Sequence, residues 1–153
     1  MRLMLAVIVF SGCLAAQNAD WKSTAEQNYQ DEVNEKMVIL NKGRAREVGA
    51  SKYPVILELV EKQNKYLTKA TNMLTMFREK VDRDEKQPAQ QVWLNYQYVD
   101  LLTDVLDQAV RAGILLETTK AGKNDTFTAM NAKAFESLKT AAGVYEAIVS
   151  TMR

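Results

Sequence analysis

Apolar and polar positions follow a helical period over most of the chain. The cleanest run lies between about Pro54 and Asp84, where Ile56, Val60, Gln63, Leu67, Ala70, Leu74, Phe77 and Val81 alternate spacings of four and three. Leu59, Tyr66 and Met73 widen the stripe. A strict 3.5-residue period keeps these side chains on one seam of a supercoiling, coiled-coil-like helix. Pro54 fits the first turn, where no intrahelical donor is lost. Gln63, the one polar member, is suited to fixing register.

A second strongly patterned segment runs from about Ala89 to Lys120, after the charged connection Asp82–Gln87 and Pro88. It carries two apolar stripes. Leu94, Tyr98, Leu101, Val105, Ala109, Ala112 and Leu115 form one, and Val92, Tyr96, Val99, Leu102, Leu106 and Val110 the other. Two stripes predict a helix buried more than halfway round. Gly122 is expected to end it, with Asp125 or Thr126 capping the final helix. That helix reaches Arg153 with Ala134, Leu138, Ala141, Tyr145, Ile148 and Met152 on its inner face.

Before these lies a more polar helix from Gln17 to about Gly49. Ser23-Thr24-Ala25-Glu26 has the form of a capping box, and Ala25, Tyr29, Val33, Met37 and Leu40 trace one face. Four helices joined by short turns predict an all-α fold, a four-helix up-down-up-down bundle over residues 17–153.

Composition narrows the chemistry. With 153 residues the chain makes about one domain, and 6 Gly with 2 Pro leave few turns. Histidine is absent, which removes the commonest metal ligand and the side chain most easily poised for acid–base work. No phosphate loop, metal cluster or nucleophile elbow is present. We therefore expect no catalysis, no cofactor and no metal. Arg2 is the only charged residue among the first 16, and without it 19 basic residues balance 19 acidic ones. A neutral domain lacks the electrostatic footprint of nucleic-acid binding.

The opening residues, MRLMLAVIVFSGCLAAQ, have the parts of a secretory signal: Arg2, an apolar core from Leu3 to Phe10, then Ser11 and Gly12. Eight apolar residues span about 12 Å as a helix, far short of the ~30 Å hydrocarbon core. Phe10-Ser11-Gly12-Cys13 resembles the lipobox of bacterial lipoproteins. It departs from the usual pattern in carrying Phe10 where Leu is commonest, and in its short basic region. The resemblance implies cleavage before Cys13, lipid attachment at Cys13 and a tether to the cell envelope. Leu14 is not the Asp that retains such proteins in the inner membrane, so it implies the periplasmic face of the outer membrane. Two other readings stay open: an ordinary signal peptide in residues 1–16 cut near Ala15 or Ala16, leaving a secreted or periplasmic protein, and an uncleaved N-terminal element. In each, a buried or acylated Cys13 fits better than a reactive thiol, since no histidine exists to activate it.

Three groups stand out in the mature chain. Asp100, Asp104 and Asp107, spaced i, i+4, i+7, suit a cation or a cationic partner, and equally a solvated face. Lys42, Arg44 and Arg46 suit lipid phosphate or an acidic partner, and equally the C-terminal end of a helix. Trp93, Tyr96 and Tyr98 suit an interface or a core. Trp21 is expected to pack on the bundle or sit at a membrane interface.

The expected function is an envelope-anchored, non-catalytic interaction module of the secretion, immunity or exclusion type, with the membrane and another envelope protein as partners. Two alternatives remain: a bundle binding a small apolar ligand, and a self-associating structural protein, a homo-oligomer built on the seam of the second helix.

Overall fold

The computed structural model describes the backbone of residues 17–50 and 52–152, and the side chains of 20–37 and 52–152. Four helices account for nearly all of it: α1 (Gln17–Ala50), α2 (Pro54–Asp82), α3 (Lys86–Ala121) and α4 (Asp125–Thr151). Consecutive helices run antiparallel. Trp21 at the start of α1 joins Phe77 and Val81 at the end of α2, and Thr119 near the end of α3 meets Asn131 near the start of α4.

The turns show why the helices stop where they do. After α2, Asp84 takes a left-handed conformation (φ 62°), its amide donates to the Val81 carbonyl, and the Glu85 amide donates to that of Lys80. After α3, Lys123 (φ 57°) does the same against Lys120, and Asn124 against Thr119. Both are Schellman closures, which satisfy the carbonyls orphaned at a helix end. Gly122 ends α3 as its C-cap, as expected, but with an ordinary φ of −77°; the left-handed position falls one residue later, on Lys123. The cap of α4 is likewise Asn124, whose side chain accepts from the Phe127 amide at 3.2 Å, rather than Asp125 or Thr126. The Ser23–Glu26 capping box is not formed. Those residues lie inside α1, where the backbone amides are already bonded along the helix. Lys86 rather than Ala89 opens α3, which places Pro88 in its first turn, where the missing donor costs nothing.

The core is built on α2. Every member of its predicted seam is buried, Gln63 included, together with Leu59 and Tyr66. Gln63 donates to Asp107 Oδ1 at 3.2 Å and to the Thr103 carbonyl at 3.5 Å, tying α2 to α3 in one register. The Tyr66 hydroxyl donates to Glu146 at 2.8 Å, and Lys62 reaches the same carboxylate at 3.4 Å, linking α2 to α4. Burial pushes the Tyr66 phenol up to about 12, helped by the neighbouring carboxylate.

Two apolar faces differ from expectation. In α4 the buried positions are Phe135, Ala142 and Val149, one step around the helix from the expected stripe, and Ala134 and Ile148 are exposed. In α3 the stripe containing Tyr96, Val99, Leu102, Leu106 and Val110 is in the core, and of the other stripe only Ala109 is fully buried. Leu94, Tyr98, Leu101 and Leu115 of the other stripe are exposed, so α3 is not buried more than halfway round. The reason is tertiary. Among the described residues, α1 packs along α2, α2 along α3 and α3 along α4, but α1 and α4 are not a packed pair. The part of α3 between its contacts with α1 and with α4 is therefore left uncovered.

Two helical glycines test how the packing is set. A Cβ on Gly113 would stand 2.9 Å from the Phe135 ring and 3.0 Å from Ile56, whereas a Cβ on Gly143 would have no neighbour within 4 Å. Gly143→Ala is therefore expected to stabilise the fold by about 0.5–1 kcal/mol, because alanine loses less backbone entropy in a helix. A urea titration gives the shift in midpoint that checks it.

Candidate partner-binding trough

The first and third helices both pack on α2 and run parallel, and the trough between them is bridged by side chains rather than by close helix packing. At the end nearest the turn between α2 and α3 it opens into a half-enclosed hollow of about 380 Å³. Its floor and walls are apolar: Trp21 and Ala25 from α1, Phe77 from α2, and Ala89, Trp93 and Leu94 from α3. Neutral polar side chains form the rim, namely Thr24, Asn28, Gln90 and Gln97. The spacing explains the construction. Residues 21, 24/25 and 28 on one helix, and 90, 93/94 and 97 on the other, recur every three to four positions and so face the same groove. The Trp93 ring is held against Phe77 (centroids 4.8 Å) and Tyr96 (5.2 Å), so the hollow has a rigid aromatic wall. Both tryptophans of the chain line it.

The same helical faces continue, two to three turns further on, into a charged segment. Lys36 of α1 is 2% exposed and forms an ion pair with Asp100 of α3, with Glu32 at 3.9 Å. The Tyr96 hydroxyl, itself buried, donates to Glu32. Glu35 and Asp104 stand beside this group on the surface. Burial pulls the Lys36 ammonium down, but the Asp100 hydrogen bond and the surrounding carboxylates outweigh it and hold it above its ordinary value. Burial raises Glu32 despite the Tyr96 bond, and it raises the Tyr96 phenol well above its usual range, with Asp100 and Glu32 adding to the effect.

Asp104 is open to solvent on one side, yet loss of hydration against α1 pushes its carboxyl up to about 6, and the charges of Asp100 and Glu35 push the same way. A carboxylate raised above its unfolded value costs stability where it is ionised, and that cost disappears as pH falls toward the unfolded value. Asp104→Asn is therefore expected to melt higher than wild type near pH 7.5, with the difference shrinking through about pH 6 and absent near pH 4. Circular-dichroism melts of the two proteins across that range provide the check.

The residues singled out from sequence are distributed as follows. Trp93 lines the hollow, Tyr96 lies in the core with its hydroxyl on Glu32, and Tyr98 is on the uncovered outer face of α3, so the three do not form one aromatic group. The three aspartates are also divided. Asp100 and Asp104 turn to α1, while Asp107 turns to α2, accepting from Gln63 and, at 2.7 Å, from Arg111. Trp21 packs on the bundle against Phe77 and Val81. Met37, expected on the inner face of α1, is exposed, and Lys36 is buried in its place. The side chains of Lys42, Arg44 and Arg46, and Cys13 altogether, lie outside the described residues.

Sequence reading did not identify Glu32, Glu35 and Lys36. The signal was the 4-3-4 run Trp21, Ala25, Asn28, Glu32, then Lys36 four further on, which continues the apolar face into charged residues. Among the described residues, no cluster of three or more acidic or sulfur-bearing side chains is arranged to hold a metal ion, and no helix is long and apolar enough to cross a membrane. No protein-family model, curated protein or solved structure matches the chain.

Proposed function

We propose that this chain is an envelope-anchored lipoprotein whose helical bundle is a non-catalytic docking module, using the trough between α1 and α3 to hold another envelope protein. The observation that carries the docking role is the hollow walled by Trp21, Phe77, Trp93 and Leu94. Aromatic side chains in a half-open, rigid groove with a neutral polar rim have the make-up of an interface core. Support for the tether comes from Phe10-Ser11-Gly12-Cys13 and the short apolar run before it. A lipid at Cys13 would keep the bundle at the membrane surface, the periplasmic face of the outer membrane on the lipobox reading, and raise the effective concentration of an envelope partner.

Two measurements test the two halves. Labelled palmitate is expected in the wild-type protein expressed in a Gram-negative host and absent from Cys13→Ser; an unlabelled wild type refutes the tether. A photo-crosslinking residue at Gln90 or Gln97 is expected to give one discrete adduct in native membranes, while the same residue at exposed Ser137 on α4 gives none. Equal labelling from all three positions refutes docking at the trough.

A second reading is favoured by the size of the hollow, since about 380 Å³ lies within the range of small-molecule sites. On that reading an apolar ligand fills it, and a medium-chain fatty acid raises the melting temperature of wild type but not of Leu94→Gln.

A further inference from the structure

We infer that the occupant of the trough is an amphipathic helix with a basic polar face, seating an apolar side chain between Trp21 and Trp93 and a lysine or arginine against Glu35 and Asp104. The inference rests on the docking role proposed above and adds the chemistry of the partner.

Beyond Asn28 and Gln97 the helical faces that line the hollow continue into Glu32 and Glu35 on α1 and Asp100 and Asp104 on α3, where the Lys36–Asp100 pair joins the two helices beneath the exposed Glu35 and Asp104. The one described cation among them, Lys36, is buried and committed to Asp100 and Glu32. Four carboxylates against one ammonium leave three negative charges in excess, and the two outermost, Glu35 and Asp104, are exposed. Two cations on the neighbouring helix faces are already engaged: Arg78 with Glu26 and Asp82, and Arg111 with Asp107. Asp104 is crowded by carboxylates and partly stripped of water, so an arriving cation gains more there than at an ordinary surface carboxylate.

The distance suits a helix. Trp93 and Asp104 are eleven residues apart on α3, or about 16 Å along its axis. A helix laid in the trough spans the same interval in about three turns, with its apolar anchor and its cation on the same face. A flat apolar surface would hold such a helix in any register. The acidic end fixes both direction and register, since reversing the partner puts its cation in the hollow.

The two tryptophans report on occupancy directly. Three peptides of about 18 residues, free of tryptophan and tyrosine, share one leucine-rich face and carry lysine, glutamine or glutamate on the other. Each is titrated into the 17–153 protein in low salt while tryptophan emission is followed. The lysine-faced peptide is expected to bind at least about tenfold more tightly than the glutamate-faced one, and the gap to close at about 0.5 M salt. Asp104→Asn with Glu35→Gln, both at exposed positions, is expected to bring the two within about threefold of each other at low salt. Leu94→Gln is expected to weaken all three peptides alike. Equal affinity for the three peptides in wild type overturns the basic-partner inference and leaves docking at the trough intact. Emission that no peptide changes, or binding that Leu94→Gln leaves unaltered, overturns both.

Discussion

Lys36→Met is expected to lower the stability of the bundle by about 3–5 kcal/mol, the range for removing one member of a buried ion pair. The loss comes from what stays behind. Asp100 and Glu32 pair with the Lys36 ammonium, Asp104 lies within electrostatic reach of it, and methionine fills the same volume without a charge. Three carboxylates then share a partly buried site with no counter-charge, which costs more than the ion pair itself contributes. The double variant Lys36→Met with Asp100→Leu is accordingly expected to recover most of the loss, because the deepest uncompensated charge is gone and apolar contact replaces it. Asp100→Leu alone should cost less than Lys36→Met, since Glu32 still pairs with the lysine. Guanidinium titrations of the four proteins give the coupling as a double-mutant cycle. A Lys36→Met protein as stable as wild type would remove the ion pair from the account of how α1 is held.

The same pair bears on specificity. It adds little net stability over a well-packed apolar contact, yet it penalises sliding of α1 along α3, because a shift breaks both the Lys36–Asp100 pair and the Tyr96–Glu32 hydrogen bond. The register of α1 is what aligns Trp21 and Ala25 with Trp93 and Leu94. The buried charge therefore positions the hollow, two turns away, without lining it.

Gly113→Leu should cost about 2–3 kcal/mol, a typical penalty for forcing extra carbons into a packed core. At Gly113 side chains of both α2 and α4 come against the α3 backbone, with Ile56 and Phe135 occupying the space a side chain would fill. Leucine gains up to about 1 kcal/mol of helix propensity over glycine, so the steric penalty must exceed that before it shows. The displaced element is expected to be α4, which is anchored by fewer buried side chains than α2. Amide exchange should rise first around Phe135 and Ala142 while α2 stays protected. Set beside the stabilisation expected for Gly143→Ala, the opposite sign separates a glycine required by packing from one that is not.

How much of this was legible in the chain differs from helix to helix. The α2 seam could be read completely, because it is buried along its whole length and the 3.5-residue period leaves one solution for which side faces in. In α4 the period was visible but its phase was not. Ala134 and Ile148 fit the period as well as Phe135 and Val149, and only the groove offered by α3 and Gly113 decides which set goes inside. In α3 both apolar stripes were visible, yet whether each is covered depends on α1 and α4 packing together, and pattern within one helix carries no information about that. The hollow was half legible. Trp93 and Trp21 were each marked as aromatics in need of a place, but nothing local says that residues 72 positions apart share one groove. The Lys36 cluster was the least legible part, since a charged residue at a core spacing reads as a solvated face until an opposite charge from another helix is seen against it. The sequence alone thus determined four helices, their turns within a few residues, the inner face of α2 and the absence of histidine chemistry, because these follow from local period and composition. The tertiary structure decided which apolar faces stay open and which charges are buried, because burial depends on neighbours the local pattern cannot specify.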